Sequence, residues 1–298
     1  MKKLRILGLL SLALILSLTG CGSKEAKENA GANASAASEE KPANATTTDL
    51  VQIADDNEIV IGVSPTPHKE IIDALQDKFT EVGLEVKTVV FDDYVQPNLQ
   101  LSAGDINANY FQHLPYLEEF TADRKIDNLS NLGFVHLEPL GLYSDKYKSV
   151  DEIEDGADII IPNDPTNGAR ALILLEDAGL IKLADKTNLK TTEKDIVENP
   201  HNFKFTAVEA ASVSQLYKDA GAGIINSNYA LSAGLNPVND SLFTESKDSP
   251  YANLVAIRTE DLNKEKFQKF IEILQSEDAK KFIEEKYQGA IIATSESK

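Results

Sequence analysis

Ile159-Ile160-Ile161-Pro162-Asn163-Asp164-Pro165-Thr166-Asn167-Gly168-Ala169-Arg170 reads as a buried strand, a rigid turn and the opening of a helix. Pro162 ends the apolar run, Pro165 pre-sets a turn φ, and Thr166 or Asn167 is expected to cap the helix. Ala171, Leu174, Leu175 and Ala178 follow at i, i+3, i+4 and i+7 spacing, which gives that helix a core face. Arg170 therefore falls near a helix N-terminus, where free N–H groups and the positive dipole end already favour an anion. A planar guanidinium there is suited to holding a carboxylate through two hydrogen bonds. Taken alone, the stretch also fits an ordinary surface arginine, and the rest of the chain decides between the two.

The same strand-to-helix alternation extends on both sides. Before it, strands are expected at 59–63, 86–91 and 107–110, with helices at 71–82, 94–103 and 113–122. Around and after it come strands at 157–161, 203–208 and 222–226 and helices at 167–178, 212–219 and 227–233. A polar, turn-rich segment covers 236–250, a strand 253–257, and two amphipathic helices broken near Ser276 fill 262–286. Alternation of this kind implies right-handed crossovers and mostly parallel sheets. Residues 132–142 are extended and interrupted by Pro139, as expected of a connection between lobes. The fold class is therefore α/β with two lobes, 57–142 plus 246–298 and 143–245. A chain that crosses twice leaves a cleft between them, with strand C-termini pointing into it.

The 298 residues carry 42% hydrophobic and 26% charged side chains, an ordinary globular balance, and a net charge of −19. So acidic a body repels nucleic acid and anionic membrane surfaces. Its single cysteine, Cys21, allows no intrachain disulfide. Lys2, Lys3 and Arg5 precede a short apolar run, Ile6 to Leu18, which reads as a signal peptide over 1–20. The run ends in Leu18-Thr19-Gly20-Cys21, which resembles a bacterial lipobox and makes Cys21 the lipidation site. Residues 22–49 contain no aromatic residue, so 21–56 is expected to be a lipidated, disordered tether. A flexible chain of about 35 residues reaches roughly 30–35 Å.

No enzymatic motif is present. His68, His113, His136 and His201 show no metal-ligand spacing, and neither a Gly-rich phosphate loop nor a G-x-S-x-G elbow occurs. Catalytic residues, metal and cofactor are accordingly expected to be none. What stands out is Asn109-Tyr110-Phe111-Gln112-His113-Leu114-Pro115-Tyr116, at a strand end and helix start. It reads either as a core aromatic cluster or as an apolar cage with a few polar handles, as small-ligand sites require. Tyr94 can add another ring. Ile224-Ile225-Asn226-Ser227-Asn228-Tyr229 has the same strand-to-helix placement in the second lobe, with asparagines that serve as caps or as ligand contacts.

These segments together resemble the NlpA/MetQ lipoprotein family, methionine-binding proteins of ABC importers. The resemblance is carried by Phe91-x-x-Tyr94, Phe111-Gln112-His113-x-Pro115-Tyr116-Leu117, Pro162-Asn163-Asp164-Pro165-Thr166-Asn167, Arg170 and Ile225-Asn226-x-x-Tyr229-Ala230. Glu198-Asn199-Pro200 and Ser249-Pro250-Tyr251-x-Asn253 fit the same pattern, from about residue 57 to the C-terminus. The resemblance implies a periplasmic-binding-protein-like (type II) fold, with two crossover strands and a hinge that closes on the ligand. By it, Arg170 clamps the α-carboxylate and Asn226 and Asn228 hydrogen-bond the amino acid. Tyr94, Phe111, His113 and Tyr116 line the side-chain pocket. Tyr110 is bulkier than the residue expected before Phe-Gln-His and should bear on that pocket. The implied function is capture of L-methionine for an ABC permease and its ATPase by a lipid-anchored protein on the outer face of the cell membrane. Alternatives are D-methionine, a methionine-containing dipeptide or another small amino acid, or a surface lipoprotein of adhesion or envelope structure without transport.

Overall fold

A computed structural model describes residues 57–297. The expected signal peptide, the lipidation site Cys21 and the tether through residue 56 lie outside the described residues. Among the described residues no helix is long and apolar enough to cross a membrane.

The first part of the chain forms β1 (Glu58–Val63), α1 (Glu70–Ala74), α2 (Gln76–Glu81), β2 (Glu85–Val90), α3 (Gln96–Ala103), β3 (Ala108–His113), α4 (Leu114–Arg124) and β4 (Leu129–Leu137). Next come β5 (Gly141–Tyr143), β6 (Asp158–Pro162), α5 (Pro165–Asp177), the hairpin β7 (Lys182–Leu183) and β8 (Ile196–Glu198), and β9 (Lys204–Val208). They are followed by α6 (Ala210–Leu216), β10 (Ala222–Ile225), α7 (Ser227–Ser232) and β11 (Phe243–Thr244). The chain ends with β12 (Ala252–Arg258), α8 (Glu265–Leu274), α9 (Glu277–Tyr287) and β13 (Ile292–Ala293). The expected helix over 71–82 is broken at Leu75, whose φ of −105° and ψ of 6° leave the helical region. Ile71, Ile72, Leu75 and Phe79 nevertheless all enter one core.

Two main sheets result, in the orders β13-β4-β12-β3-β1-β2 and β11-β5-β10-β6-β9. Period-two alternation explains their apolar strands. In β1, Ile59, Ile61 and Val63 join one core while Val60 joins a second on the opposite face. In β6, Ile159 and Ile161 enter one core and Ile160 another. Strands covered on both faces are therefore continuously apolar rather than alternating.

The sheets are mixed rather than mostly parallel. β2, β1 and β3 are parallel, as are β9, β6 and β10. β12 runs antiparallel to both β3 and β4, and β5 antiparallel to β10. The exceptions lie beside the passages between sheets. The chain leaves the first sheet after β4, through residues 138–140, and returns after β11, through 245–251. A strand arriving from the other sheet is not bound by the right-handed βαβ rule, so β12 inserts between β3 and β4.

Candidate functional site

The turn after β6 is built as its sequence demands, with one change in the cap. Asp164, not Thr166 or Asn167, is the N-cap of α5: its side chain accepts the Asn167 N–H at 2.9 Å. Pro165 occupies the first helical position, where its missing N–H costs nothing. Asn167 is thereby freed to point inward, its Nδ2 anchored on Asp164 at 3.0 Å. Arg170 follows one turn later and is only 3% exposed, so it is no surface arginine.

In the facing sheet, β3 carries a bulge. Val255 of β12 pairs with Tyr110 and Leu254 with Gln112, which leaves Phe111 as the extra residue. Such a bulge re-aims side chains. Asn109 and Gln112 fall on a common face, where both bond Asn98 of α3 at 2.8 and 2.7 Å. Phe111 turns to the rings of Tyr94 and Tyr116, with centroids 5.8 and 6.1 Å away. Tyr110 turns the other way, into the first core, where its hydroxyl bonds His136 Nδ1. It is not part of the cavity wall, so the expectation that its bulk bears on the pocket is corrected.

All seven ligand residues expected from sequence meet around one small cavity: Tyr94, Phe111, His113, Tyr116, Arg170, Asn226 and Asn228. Gln112, Glu138, Asn167, Ser227 and Asn253 complete its lining. Tyr94, Phe111 and Tyr116 make the aromatic wall, and the Tyr116 hydroxyl donates to the Tyr94 carbonyl at 2.9 Å. His113 Nδ1 accepts the Tyr116 N–H at 3.2 Å, which leaves Nε2–H to donate to Asn167 Oδ1 at 3.2 Å. Burial, with the nearby Arg170 charge, pushes the His113 pKa down to about 3, so the ring is neutral. Asn226 Nδ2 donates to the same Asn167 oxygen at 2.9 Å, and its own Oδ1 is buried without a partner. The Tyr94 hydroxyl donates to Asn228 Oδ1 at 2.6 Å, joining the two sides of the cavity.

Arg170 does hold a carboxylate here, and it belongs to Glu245. Nε lies 3.0 Å from Oε1 and Nη2 2.5 Å from Oε2. Nη2 also donates to the Glu138 carbonyl at 2.7 Å, and the guanidinium lies 4.3 Å over the Tyr251 ring. Burial opposes its charge, but the Glu245 carboxylate outweighs that and raises the Arg170 pKa. Nη1 takes part in none of these bonds, so it is the nitrogen best placed to meet a ligand. Both passages between the sheets, at Glu138 and Glu245, are therefore tied to this one side chain.

Sequence reasoning passed over Glu138 and offered Asn253 only as part of a motif; of His68 and Asn167, both expected on loops facing the cleft, Asn167 does line the cavity. Glu138 and Asn253 had a signal: each is a polar residue inside an apolar extended run. Asn199, quoted from the Glu198-Asn199-Pro200 motif, bonds the Phe203 carbonyl at 2.9 Å and is not in the cavity. His68 is buried behind the wall rather than in it.

The comparisons with known proteins agree with this geometry. The family model for NlpA lipoprotein matches residues 59–295. The D-methionine-binding lipoprotein MetQ of Salmonella typhi is 41% identical over 241 residues, 80% of this chain and 89% of that protein. The methionine-binding lipoprotein MetQ of Bacillus subtilis strain 168 is 41% identical over 243 residues, with the same shares. A nutrient binding protein from Burkholderia cenocepacia, solved bound to methionine, superposes with a TM-score of 0.76 at 39% identity, covering 79% of this chain and 99% of that one. Matched from β1 to β13, the chain belongs to the NlpA lipoprotein family.

Proposed function

We propose that this chain is a lipid-anchored, extracytoplasmic solute-binding protein that captures methionine and hands it to an ABC permease with its ATPase. It performs no chemistry on the ligand. The observation that carries this reading is the cavity itself, where an aromatic wall faces a buried guanidinium. A thioether is a weak acceptor that packs well at aromatic edges, worth about 0.3–1.5 kcal/mol per contact. A free α-carboxylate suits Arg170 Nη1. Relatives named for methionine and D-methionine support the ligand class, and D-methionine is the second reading they favour. We place the lobes at 57–142 plus 246–298 and at 143–245, with the hinge in the passages at 138–140 and 245–251. Lipidation at Cys21 supplies the anchor.

Isothermal titration tests the ligand, on protein unfolded and refolded to strip any carried-over solute. L-methionine should give a saturable heat and D-methionine should compete. No heat with either, alongside binding of another solute, overturns the assignment. Cys21→Ser should release the protein from the membrane or leave it uncleaved; an unchanged membrane fraction refutes the anchor.

A further inference from the structure

Asp164 is the N-cap of α5 and is not among the residues that line the cavity. Its Oδ1 accepts the Asn167 N–H at 2.9 Å and the Thr166 hydroxyl at 3.0 Å. Those contacts suffice for a cap. Yet both carboxylate oxygens also take the Asn167 side-chain amide, whose Nδ2 lies 3.0 Å from Oδ1 and 3.1 Å from Oδ2. Asn167 is 1% exposed, so that amide has little access to water.

The two ends of an amide are nearly alike in shape, and its partners decide which way it points. A carboxylate only accepts. Asp164 therefore holds the Nδ2 end of Asn167 and turns Oδ1 towards the cavity. There Oδ1 receives His113 Nε2–H at 3.2 Å and Asn226 Nδ2 at 2.9 Å. The His113 ring cannot adapt to the opposite orientation, because the Tyr116 backbone N–H occupies its Nδ1. With Asn167 reversed, its Nδ2 would face the His113 N–H, donor against donor in a buried site. His113 ends β3 in the first sheet and Asn167 stands on α5 beside the second, so the bond at stake crosses the cavity. Asn226 is oriented through the same oxygen. With its Nδ2 committed to Asn167, its Oδ1 is the end without a partner among the described residues.

Resting on the amino-acid reading above, we infer that Asp164 is a positioning residue for ligand binding. Acting through Asn167, it matches that side chain to His113 on the opposite wall and fixes which end of the Asn226 amide the ligand meets. Asp164 itself touches no ligand.

Two variants separate this role from capping. Serine and asparagine cap helices about as well as aspartate. In Asp164→Ser the hydroxyl is shorter and can both donate and accept, so it no longer dictates the orientation of Asn167. Asp164→Asn keeps the shape but puts a donor in place of one accepting oxygen. Both ligand-free variants should melt within about 2 °C of wild type. Their affinity for L-methionine in isothermal titration should fall about 5- to 30-fold, the worth of one or two net hydrogen bonds. The Nε2-bound proton of His113 gives a second readout by 1H–15N NMR, and it should lose its hydrogen-bonded shift in Asp164→Ser. Capping has no bearing on that signal. Unchanged affinity in both variants overturns the inference, as does an unchanged His113 proton. A loss of affinity matched by a loss of melting temperature as large as that of Asp164→Ala marks a structural role and overturns it too. If the wild-type protein binds no methionine, the amino-acid reading fails, and the His113 proton still decides whether Asp164 orients Asn167.

Discussion

Replacing Glu245 by alanine removes the carboxylate that Arg170 holds, and the cost can be worked from the contacts. Arg170 is 3% exposed and makes two of its hydrogen bonds to Glu245, at 3.0 and 2.5 Å. The variant keeps only the bond to the Glu138 carbonyl and the stacking on Tyr251. Breaking a buried ion pair from one side costs about 3–5 kcal/mol, because the remaining charge stays buried. Glu245 is itself 12% exposed, so some water can enter, and the lower figure of about 3 kcal/mol applies. For a protein of this size, each kcal/mol lowers Tm by about 2–4 °C, so Glu245→Ala should melt about 6–12 °C below wild type. Differential scanning calorimetry of ligand-free protein reads this directly. Two controls separate the ion pair from mere side-chain loss. Arg170→Met combined with Glu245→Leu leaves no buried charge and should be less destabilised than Glu245→Ala alone. Saturating L-methionine should stabilise Glu245→Ala more than wild type, since its carboxylate at Nη1 then becomes the one anion paired with the buried guanidinium. A single variant within about 1 kcal/mol of wild type, or a double variant worse than the single, refutes the reasoning.

Three further outcomes follow from the same contacts. Tyr94→Phe strands the buried Asn228 oxygen, and the loss of about 1–2 kcal/mol should weaken methionine binding roughly 5- to 30-fold by titration; unchanged affinity rejects the contact as part of the bound state. His68, His113 and His136 have folded pKa values of about 4, 3 and 3, below the ordinary 6.5, so the unfolded chain takes up their protons first and stability falls as pH drops below 6.5. Each ring costs about 2 kcal/mol by pH 5, while Glu138, raised by burial, acts in the opposite direction, so urea unfolding should show a net loss of stability; a flat profile from pH 7 to 5 contradicts neutral burial. Gly223→Ala would bring a Cβ to 2.4 Å from Tyr217 Cβ, which cannot swing away, and should destabilise by about 1–3 kcal/mol in the same assay, whereas a neutral result means that strand β10 yields more easily than its packing implies.

The legible parts of the sequence were those set by local period and turn chemistry. The apolar run 159–161, the proline turn and the i, i+3, i+4 face after it fixed β6 and α5, and with them the depth of Arg170. Pro165 also held the correct cap: a proline at the first helical position makes its predecessor, Asp164, the N-cap. The bulge at Phe111 was not legible, because a one-residue register shift depends on the partner strand. Tyr110 was therefore given the wrong face. Glu138 was not singled out either, although a carboxylate between His136 and Pro139 in an apolar run is anomalous. Its partners come from residues 68, 136 and 228, and no local pattern announces that meeting.

What the structure adds is a reason for binding and closure to be one event. The two sides touch through few polar contacts: Tyr94 to Asn228, His113 to Asn167, the Tyr229 hydroxyl to the Asp92 carbonyl at 3.0 Å, and an exposed ion pair between Lys190 and Glu119. Net hydrogen bonds of about 0.5–1.5 kcal/mol each make that a modest hold. A ligand shifts such an equilibrium only by binding the closed form better than the open one. Here the aromatic wall stands on the first sheet's side, while Arg170 and Asn226 stand on the second's. A ligand that touches both realises its full contact set only when they meet. Arg170 also braces the two passages, through the Glu138 carbonyl and the Glu245 carboxylate. In the proposed binding mode a carboxylate arriving at Nη1 acts on the same guanidinium that braces both passages between the sheets, and the opening stretch of sequence places it there.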